Sequence, residues 1–222
     1  MPKLTSTSTN TTPSSSVAGR MGVATANIPV AISARHVHLT QETVEQLFGA
    51  GHQLQPRLAL TQPGQYAAEE TVKLIGKAGE LQHVRIVGPP RNRNQVEISR
   101  SDEFVLGLDA PLRESGDLAG TPGLTIAGPQ GSVTIDSGVV CALRHVHMST
   151  ADAEVLGLKD QDRVAVEVDG AGRRLVFADV IVRVAGNFRM ELHLDTDEGN
   201  AAGVTPGMQA TLLTAAQPGE TP

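Results

Sequence analysis

Two copies of one histidine motif carry most of the chemistry that this sequence can offer. Residues 35–39 read Arg-His-Val-His-Leu, and residues 144–148 read Arg-His-Val-His-Met. Side chains on a β-strand alternate between its two faces, so both imidazoles of a copy would lie on the same face. Two such nitrogens can share a divalent ion at about 2.0–2.1 Å, as zinc requires. A single copy is also compatible with half-exposed strand histidines, but the recurrence predicts metal binding at both copies.

Each histidine pair needs further ligands, and two later segments offer them. Glu97 could give an anionic oxygen to the first pair, and His193 could complete a three-histidine site with the second. A solvated strand carboxylate and an ordinary surface histidine are the alternatives. Asp195 or Asp197 could orient a metal-bound histidine through a hydrogen bond.

Three arginines, Arg85, Arg91 and Arg93, flank the rigid turn Gly88-Pro89-Pro90. Guanidinium groups bind phosphate oxygens in a bidentate manner, so this turn is a candidate anion site. Alone, three arginines in a loop are more often solvated. Beside a metal cluster they indicate a phosphate or a phosphorylated substrate.

Cys141 is the only cysteine and lies four residues before His145. On a continuous strand it would share the face of the histidines and could serve as a metal ligand or a nucleophile. A small buried apolar residue is the favoured interpretation. A single cysteine also excludes an internal disulfide.

Short β-branched segments must position these residues. They are closely spaced and separated by Gly, Pro or Asp, which is typical of barrels or sandwiches rather than of βαβ units. Two short helices are predicted, one over 41–48 between Thr40 and Gly49 and one over 150–156 between Ser149 and Gly157. Because each histidine copy precedes such a helix, the chain repeats itself over about half its length. This repeat predicts two similar β domains that face each other.

Composition narrows the class of function. The 222 residues are 40% hydrophobic, enough for a core, but only 2% aromatic, which argues against a stacking platform for single-stranded nucleic acid. The net charge of −6 argues against non-specific nucleic-acid binding. The sequence contains no run of about 18 apolar residues, so no membrane-spanning helix is predicted, and no secretory signal is recognisable. A cytoplasmic protein is therefore predicted.

Both ends of the chain are predicted to lie outside the folded domains. Residues 1–26 are rich in Ser and Thr and are predicted to form a disordered tail, within which Met21 could be an alternative start. Residues 215–222 are predicted to form a loose C-terminus. The folded part is therefore expected between residues 27 and 214.

The motifs taken together resemble the PduL-type phosphate acyltransferases, also called phosphate propanoyltransferases. The resemblance covers roughly residues 28–214 and rests on several separate motifs in the same order. These motifs lie at 30–39, 62–67, 87–99, 141–149, 186–188 and 200–202. The resemblance implies the reaction acyl-CoA + phosphate ⇌ acyl phosphate + CoA, with propanoyl-CoA or acetyl-CoA as the acyl donor.

The same resemblance implies a mainly β fold, with two similar small β-barrel domains, short helices and an active site at the domain interface. The domains are expected at 27–120 and 121–214, and the barrels could exchange strands. Two Zn2+ per chain are implied. The ligands implied for them are His36, His38 and Glu97 for one ion and His145, His147 and His193 for the other.

Substrate-binding residues follow from the resemblance as well. Arg91 matches the catalytic arginine expected to hold phosphate. The positions expected to line the pocket for coenzyme A are Ser33, Arg85, Val87, His193 and Asn200. Direct attack by phosphate on the acyl thioester is the expected mechanism. The alternatives are a dinuclear zinc hydrolase acting on a thioester or amide, and a non-catalytic metal-binding module.

The partners implied are acyl-CoA or CoA and phosphate, without nucleic acid or a membrane. Family members packaged in bacterial microcompartments, which serve propanediol degradation, often carry an N-terminal amphipathic helix. Residues 1–26 show no clear apolar stripe. The sequence therefore leaves encapsulation, association with a microcompartment shell and homo-oligomerisation open.

Overall fold

A computed structural model describes residues 23–214 of the protein. Within them, fifteen strands and four short helices follow one another along the chain. The first half holds β1 (Val23–Ser33), β2 (His36–His38), α1 (Gln41–Phe48), β3 (Pro56–Ala59), β4 (Tyr66–Ile75), β5 (Glu80–Gly88), β6 (Gln95–Ile98), α2 (Arg100–Leu106) and β7 (Leu112–Arg113). The second half holds β8 (Leu124–Ala127), β9 (Ser132–Ile135), β10 (Val139–Ala142), β11 (His145–Met148), α3 (Thr150–Leu156), β12 (Arg163–Val168), β13 (Leu175–Val184), β14 (Glu191–Asp195), α4 (Thr196–Ala202) and β15 (Gln209–Thr214). The predicted mainly β fold is confirmed.

The strands form two sheets. Six of them close into a barrel in the order β1-β14-β11-β13-β12-β15, and β15 returns to pair with β1. The other nine form a curled half-barrel in the order β7-β10-β6-β2-β5-β4-β8-β9, with β3 paired to β4. Both units are thus curved β-sheets, but the six-stranded sheet closes into a barrel and the nine-stranded sheet stays open.

Strands are exchanged between the two halves of the chain. β1 comes from the N-terminal end but pairs in parallel with β14 and antiparallel with β15, so it completes the C-terminal barrel. Conversely, β8, β9 and β10 belong to the half-barrel. Residues 23–26, predicted as part of the tail, form the start of β1 because β15 supplies backbone partners for them. The rest of the predicted tail and residues 215–222 lie outside the described residues.

The repeat in the sequence corresponds to a repeat in pairing. β2 runs parallel to β5 and antiparallel to β6, and β11 runs parallel to β13 and antiparallel to β14. Each histidine copy therefore occupies an inner strand with the same two kinds of neighbour. Each sheet encloses its own apolar cluster, with Leu39 and Ile86 in one and Met148 and Leu192 in the other, all fully buried.

Both helices predicted from sequence are present with the predicted bounds. Thr40 accepts a hydrogen bond from the Thr43 amide at the start of α1, and Ser149 accepts one from the Asp152 amide at the start of α3. Gly157 ends α3 with φ of 66°, a left-handed conformation that glycine adopts without steric cost. Two further helices, α2 and α4, were not predicted. No helix of residues 23–214 is long and apolar enough to cross a bilayer.

Candidate active site

The first histidine copy meets its third candidate ligand through strand register. His36 stands directly opposite Glu97 in the antiparallel pair of β2 and β6. Its Nε2 lies 3.6 Å from Glu97 Oε2 and 3.2 Å from His38 Nε2. One ligand atom from each of these three side chains falls within 4.8 Å of the other two, a spread that one metal ion can bridge.

The second copy is built in the same way in the barrel. His145 stands opposite His193 in the antiparallel pair of β11 and β14. The Nε2 atoms of His145 and His147 lie 3.1 Å apart, and the ring of His193 is centred 4.9 Å from that of His145. One ligand atom from each of these three side chains again lies within 4.8 Å of the other two. Glu97 and His193 are therefore equivalent positions of the repeat.

Hydrogen bonding fixes where the lone pairs of the first pair point. The Nδ1 atoms of His36 and His38 lie 2.9 and 3.0 Å from the carbonyl oxygens of Ala34 and Val87. A carbonyl only accepts, so each Nδ1 carries the proton and each Nε2 carries a lone pair. Two lone pairs that face each other at 3.2 Å repel unless a cation lies between them. Tetrahedral zinc at about 2.0–2.1 Å from each nitrogen needs a separation of about 3.3 Å, so the pair fits zinc.

A proton on one of the two nitrogens would also relieve this repulsion, but the low pKa values of these histidines disfavour it. Burial, reinforced by His36 and Arg91, lowers the pKa of His38 to about 3. Burial, reinforced by His145 and His193, lowers the pKa of His147 to about 2. Both imidazoles are therefore neutral at physiological pH, the state that a metal requires of a histidine ligand.

In the second site, a carboxylate orients the third histidine. His193 Nε2 lies 2.7 Å from Glu191 Oε2, so Nε2 carries the proton and donates it, and Nδ1 keeps the lone pair for a metal. Burial raises the pKa of Glu191, but the hydrogen bonds from His193, Thr61 and Gln62 outweigh it and leave the pKa below its usual value. Glu191 is thus an ionised acceptor at neutral pH.

In the first site the carboxylate is itself a candidate metal ligand and does not orient a histidine. Glu97 takes the ligand position, and Gln95 Nε2 and Ser115 Oγ donate to its Oε1 at 2.6 and 2.9 Å. Burial raises the pKa of Glu97, but His36, His38 and the Ser115 hydrogen bond lower it below its usual value, so the carboxylate is ionised. Each site therefore has one carboxylate. In the first site it is the candidate ligand Glu97, and in the second it is Glu191, which accepts a hydrogen bond from the candidate ligand His193.

All six candidate ligands line one cavity of about 470 Å³ between the half-barrel and the barrel. Arg91 and Arg183 also line it, and both are half-buried. Arg35 and Arg85 complete the set, so the cavity combines two candidate metal-binding clusters with four arginines, an arrangement suited to an anionic substrate.

Similarity to known proteins agrees with this geometry. A family model described as phosphate propanoyltransferase matches residues 29–205. The chain belongs to the phosphate propanoyltransferase family. It is 52% identical to the phosphate propanoyltransferase of Thermotoga maritima over 81% of this chain and 86% of that one. The enzyme of the same name from Salmonella typhimurium is 49% identical over 79% of this chain and 83% of that one. The chain is accordingly an enzyme of the acyltransferase class.

Most residues implied for substrate binding in this phosphate propanoyltransferase family member are brought together. Arg91 follows β5, and its backbone is held by a 2.8 Å hydrogen bond from its amide to the Leu39 carbonyl. The cavity is also lined by Ser33, Arg85, Val87 and His193. Asn200 does not line it, because α4 places this residue on the exposed surface.

The structure corrects the role suggested for Asp195 and Asp197, and it agrees with the favoured interpretation of Cys141 as a small buried apolar residue. Asp195 caps α4 by accepting from the Glu198 amide at 2.8 Å, and Asp197 accepts from the Ser101 amide. Glu191, not either aspartate, orients His193. Cys141 does not share the face of the histidines, because the strand is interrupted at residues 143 and 144 and Cys141 points into the core of the half-barrel.

The arginine of each histidine copy has a structural partner in the helix that follows the third candidate ligand of its site. Arg35 pairs with Asp102 in α2 at 2.7 Å, and Arg144 pairs with Glu198 in α4 at 2.8 Å. Asp102 and Glu198 are the third residues of their helices and also accept from the backbone amide of the capping residue. The S-x-x-D and D-x-x-E signatures at 99–102 and 195–198 could have predicted both helices.

Sequence reasoning missed Arg183, Glu191 and Gln62 as cavity residues. Glu191 stands two residues before His193 and so shares its face, a period-two signal that was available. Gln62 begins the motif at 62–67 that supports the family resemblance, but nothing in that motif indicated its contact. Arg183 had no signal, because it lies in a Val-rich strand.

Proposed function

We propose that the protein transfers a short acyl group between coenzyme A and inorganic phosphate: acyl-CoA + phosphate ⇌ acyl phosphate + CoA. Propanoyl-CoA or acetyl-CoA is the acyl donor, and the reaction takes place in the cavity between the barrel and the half-barrel. The names of the relatives support propanoyl transfer. The cavity supports the chemistry, because it joins metal ligands with an anion-binding arginine.

The observation that carries this proposal is the meeting of Arg91 with both clusters in one cavity. A guanidinium holds two phosphate oxygens at once and so fixes the orientation of the dianion. We assign Arg91 as the catalytic residue that holds phosphate. Because the half-barrel contributes Arg91 and the barrel contributes His193, the site is complete only when both sheets are in place.

We further propose two zinc ions per chain. His36, His38 and Glu97 would hold one, and His145, His147 and His193 the other. Zinc bound there would supply Lewis acidity to the thioester carbonyl and a soft partner for the departing sulfur. The protein contributes the tautomers that hydrogen bonds fix for four of the imidazoles, those of His36, His38, His145 and His193.

The transfer itself needs no group from the protein as nucleophile. A phosphate oxygen, aimed by Arg91, attacks the carbonyl carbon of the thioester and forms the new C–O bond. The C–S bond then breaks, the electron pair stays on sulfur, and CoA leaves as the thiolate. Ser33, Arg85 and Val87 lie along the same cavity and are proposed to hold CoA. A role for Asn200 would require CoA to extend beyond the cavity to α4.

An acyl-cysteine intermediate is disfavoured by the position of Cys141. The side chain is 1% exposed and packs among apolar residues of the half-barrel. Burial, reinforced by Glu103, raises the pKa of the thiol to about 12. A thiol in that state is neither accessible nor ionised at neutral pH.

One assay tests the proposal. Zinc-loaded protein is given propanoyl-CoA or acetyl-CoA, with and without inorganic phosphate, and released CoA is measured with a thiol reagent. The proposal predicts release that requires phosphate and that disappears after chelation. Release that ignores phosphate would favour the zinc hydrolase, and no release with either thioester would favour a metal-binding module. The rates with the two thioesters give the preferred acyl length.

A further inference from the structure

Two guanidinium groups in the cavity have no protein partner. Among residues 23–214, no carboxylate or carbonyl accepts a hydrogen bond from the side chain of Arg91 or Arg183, and neither forms an ion pair. Arg85, which also lines the cavity, is different, because its Nη1 donates to the carbonyls of Ala68 and Glu69 at 2.9 and 2.8 Å. Arg35, the fourth arginine of the lining, is paired with Asp102. Among the described residues, Arg91 and Arg183 are therefore the two arginines of the cavity whose side chains are available to bind a ligand.

The position of Arg183 follows from strand register. It pairs with His147 in the parallel ladder of β11 and β13, so it stands beside a candidate ligand. The equivalent position of the half-barrel, beside His38, is Val87. Arg85 pairs with His36 in the half-barrel, so each sheet places one guanidinium beside a candidate ligand, but only Arg183 makes no hydrogen bond to a described carbonyl. The site beside Arg183 has three imidazoles as candidate ligands, whereas the other has the Glu97 carboxylate.

Arg91 and Arg183 lie close enough to act on each other electrostatically. Burial lowers the pKa of Arg91, and Arg183 lowers it further, against the opposing effect of Glu97. Arg183 also contributes to the low pKa of His147, after burial and the two neighbouring histidines. Two half-buried cations whose fields overlap repel each other unless an anion lies between them. A phosphate dianion supplies that charge and has enough oxygens for both guanidinium groups.

We propose that Arg183 is a second phosphate-binding residue, which together with Arg91 holds the attacking phosphate beside the candidate metal ligands. This inference rests on the proposed acyl transfer to phosphate. Coenzyme A also carries phosphate groups, but its pyrophosphate is separated from its sulfur by the whole pantetheine arm. Arg183 lies next to His147, and in the proposed reaction the thioester sulfur and carbonyl bind at these candidate metal ligands. The phosphate that attacks the carbonyl is therefore the phosphate group nearest to Arg183. Holding phosphate from two sides also favours its attack over that of water.

Steady-state kinetics of Arg183→Gln test the assignment. The concentrations of phosphate and propanoyl-CoA are varied independently, and zinc content is measured on the same samples. Loss of one charged, bidentate contact should lower kcat/KM for phosphate by about tenfold to a hundredfold, with KM for propanoyl-CoA and zinc content close to those of the wild type. Arg183→Lys keeps the charge without the bidentate geometry and should fall between the two.

Arg163→Gln is the matched control, because it removes the same charge from an exposed position on barrel strand β12, outside the cavity. Its phosphate kinetics should equal those of the wild type. Calorimetric titration of each zinc-loaded protein with phosphate gives a second readout that does not depend on turnover, and Arg183→Gln should bind phosphate more weakly.

Three results would overturn the inference. The first is unchanged phosphate kinetics in Arg183→Gln, and the second is a rise in Arg183→Gln that is confined to KM for propanoyl-CoA. The third is a loss of zinc from Arg183→Gln that accounts for its whole loss of activity, while Arg183→Lys behaves as wild type. Failure of the proposed function would look different, since wild-type protein itself would then release CoA without phosphate or not at all.

Discussion

Gln62 and Arg189 exchange two hydrogen bonds between a loop of the half-barrel and the segment before barrel strand β14. Gln62 Nε2 donates to the Arg189 carbonyl at 2.9 Å, and the Arg189 amide donates to Gln62 Oε1 at 3.2 Å. The Gln62 side chain is buried, at 3% exposure, although it lies in a loop of the half-barrel. It thus fastens this loop to the barrel just before the strand that carries Glu191 and His193.

Replacing Gln62 should loosen both the interface and the second cluster. Gln62→Ala removes both hydrogen bonds that this buried side chain makes to the Arg189 backbone, which should lower the free energy of unfolding by about 1–3 kcal/mol. Urea unfolding measures this loss. Gln55→Ala is a suitable control, because Gln55 is exposed and its side chain bonds only locally to the Gln53 carbonyl. Equal stability of the two variants would show that the Gln62 contact does not join the sheets.

Glu191 should control metal occupancy of one site. Wild-type protein purified without chelator is expected to hold about two zinc ions per chain. Glu191→Gln removes the anionic acceptor from His193 and should weaken metal binding at that site by about tenfold to a hundredfold. Elemental analysis after dialysis against a weak chelator should then find about one zinc per chain.

Glu167→Gln serves as the control for that experiment, since it removes a carboxylate that pairs with Arg174 on the outside of the same barrel. Its zinc content should match that of the wild type. A wild-type protein that is fully active with at most one metal ion per chain would contradict the dinuclear site.

Arg91 should matter for phosphate and not for metal. Arg91→Ala removes a bidentate partner of a dianion, a loss of about 2–4 kcal/mol in the transition state, so activity should fall by two or three decades. Zinc content should stay intact. Arg93→Ala is the matched control, because Arg93 is exposed on the same loop and does not line the cavity. Near-normal phosphate kinetics in Arg91→Ala would show that the anion site lies elsewhere.

Cys141 should be dispensable for chemistry. Cys141→Ala is expected to keep activity within about tenfold, since it loses packing and no reacting group. The folded wild type should resist alkylation by iodoacetamide at pH 8, because burial raises the pKa of the thiol to about 12 and hides the sulfur. Kinetics should be sequential. A burst of CoA without phosphate that disappears in Cys141→Ala would instead demonstrate an acyl-enzyme.

The local features of the fold could be predicted from sequence, since their causes are local. Thr40 and Ser149 cap helices through their own side chains, and the period-two spacing of His145 and His147 puts both rings on one face. The two histidine copies therefore identified the site before any tertiary contact was known.

The parts that sequence reasoning missed depend on long-range pairing. The exchange of β1 into the C-terminal barrel joins residues near 30 to residues near 192 and 210, and no local pattern encodes such a contact. Arg183 enters the cavity only because β13 pairs in parallel with β11. Gln62 becomes buried only because its loop meets the barrel. Glu97 and His193 were candidate ligands from their own segments, with solvated side chains as the alternative, and the resemblance to a known family implied the same two residues.

The central claim, transfer of the acyl group to phosphate, is tested most directly by 31P NMR. Zinc-loaded protein is incubated with propanoyl-CoA and inorganic phosphate, and the acyl phosphate resonance is followed together with free CoA. We expect acyl phosphate and CoA to appear in equal amounts and the reaction to stop at an equilibrium that added CoA reverses. Release of CoA with free propanoate and an unchanged phosphate signal would contradict the account.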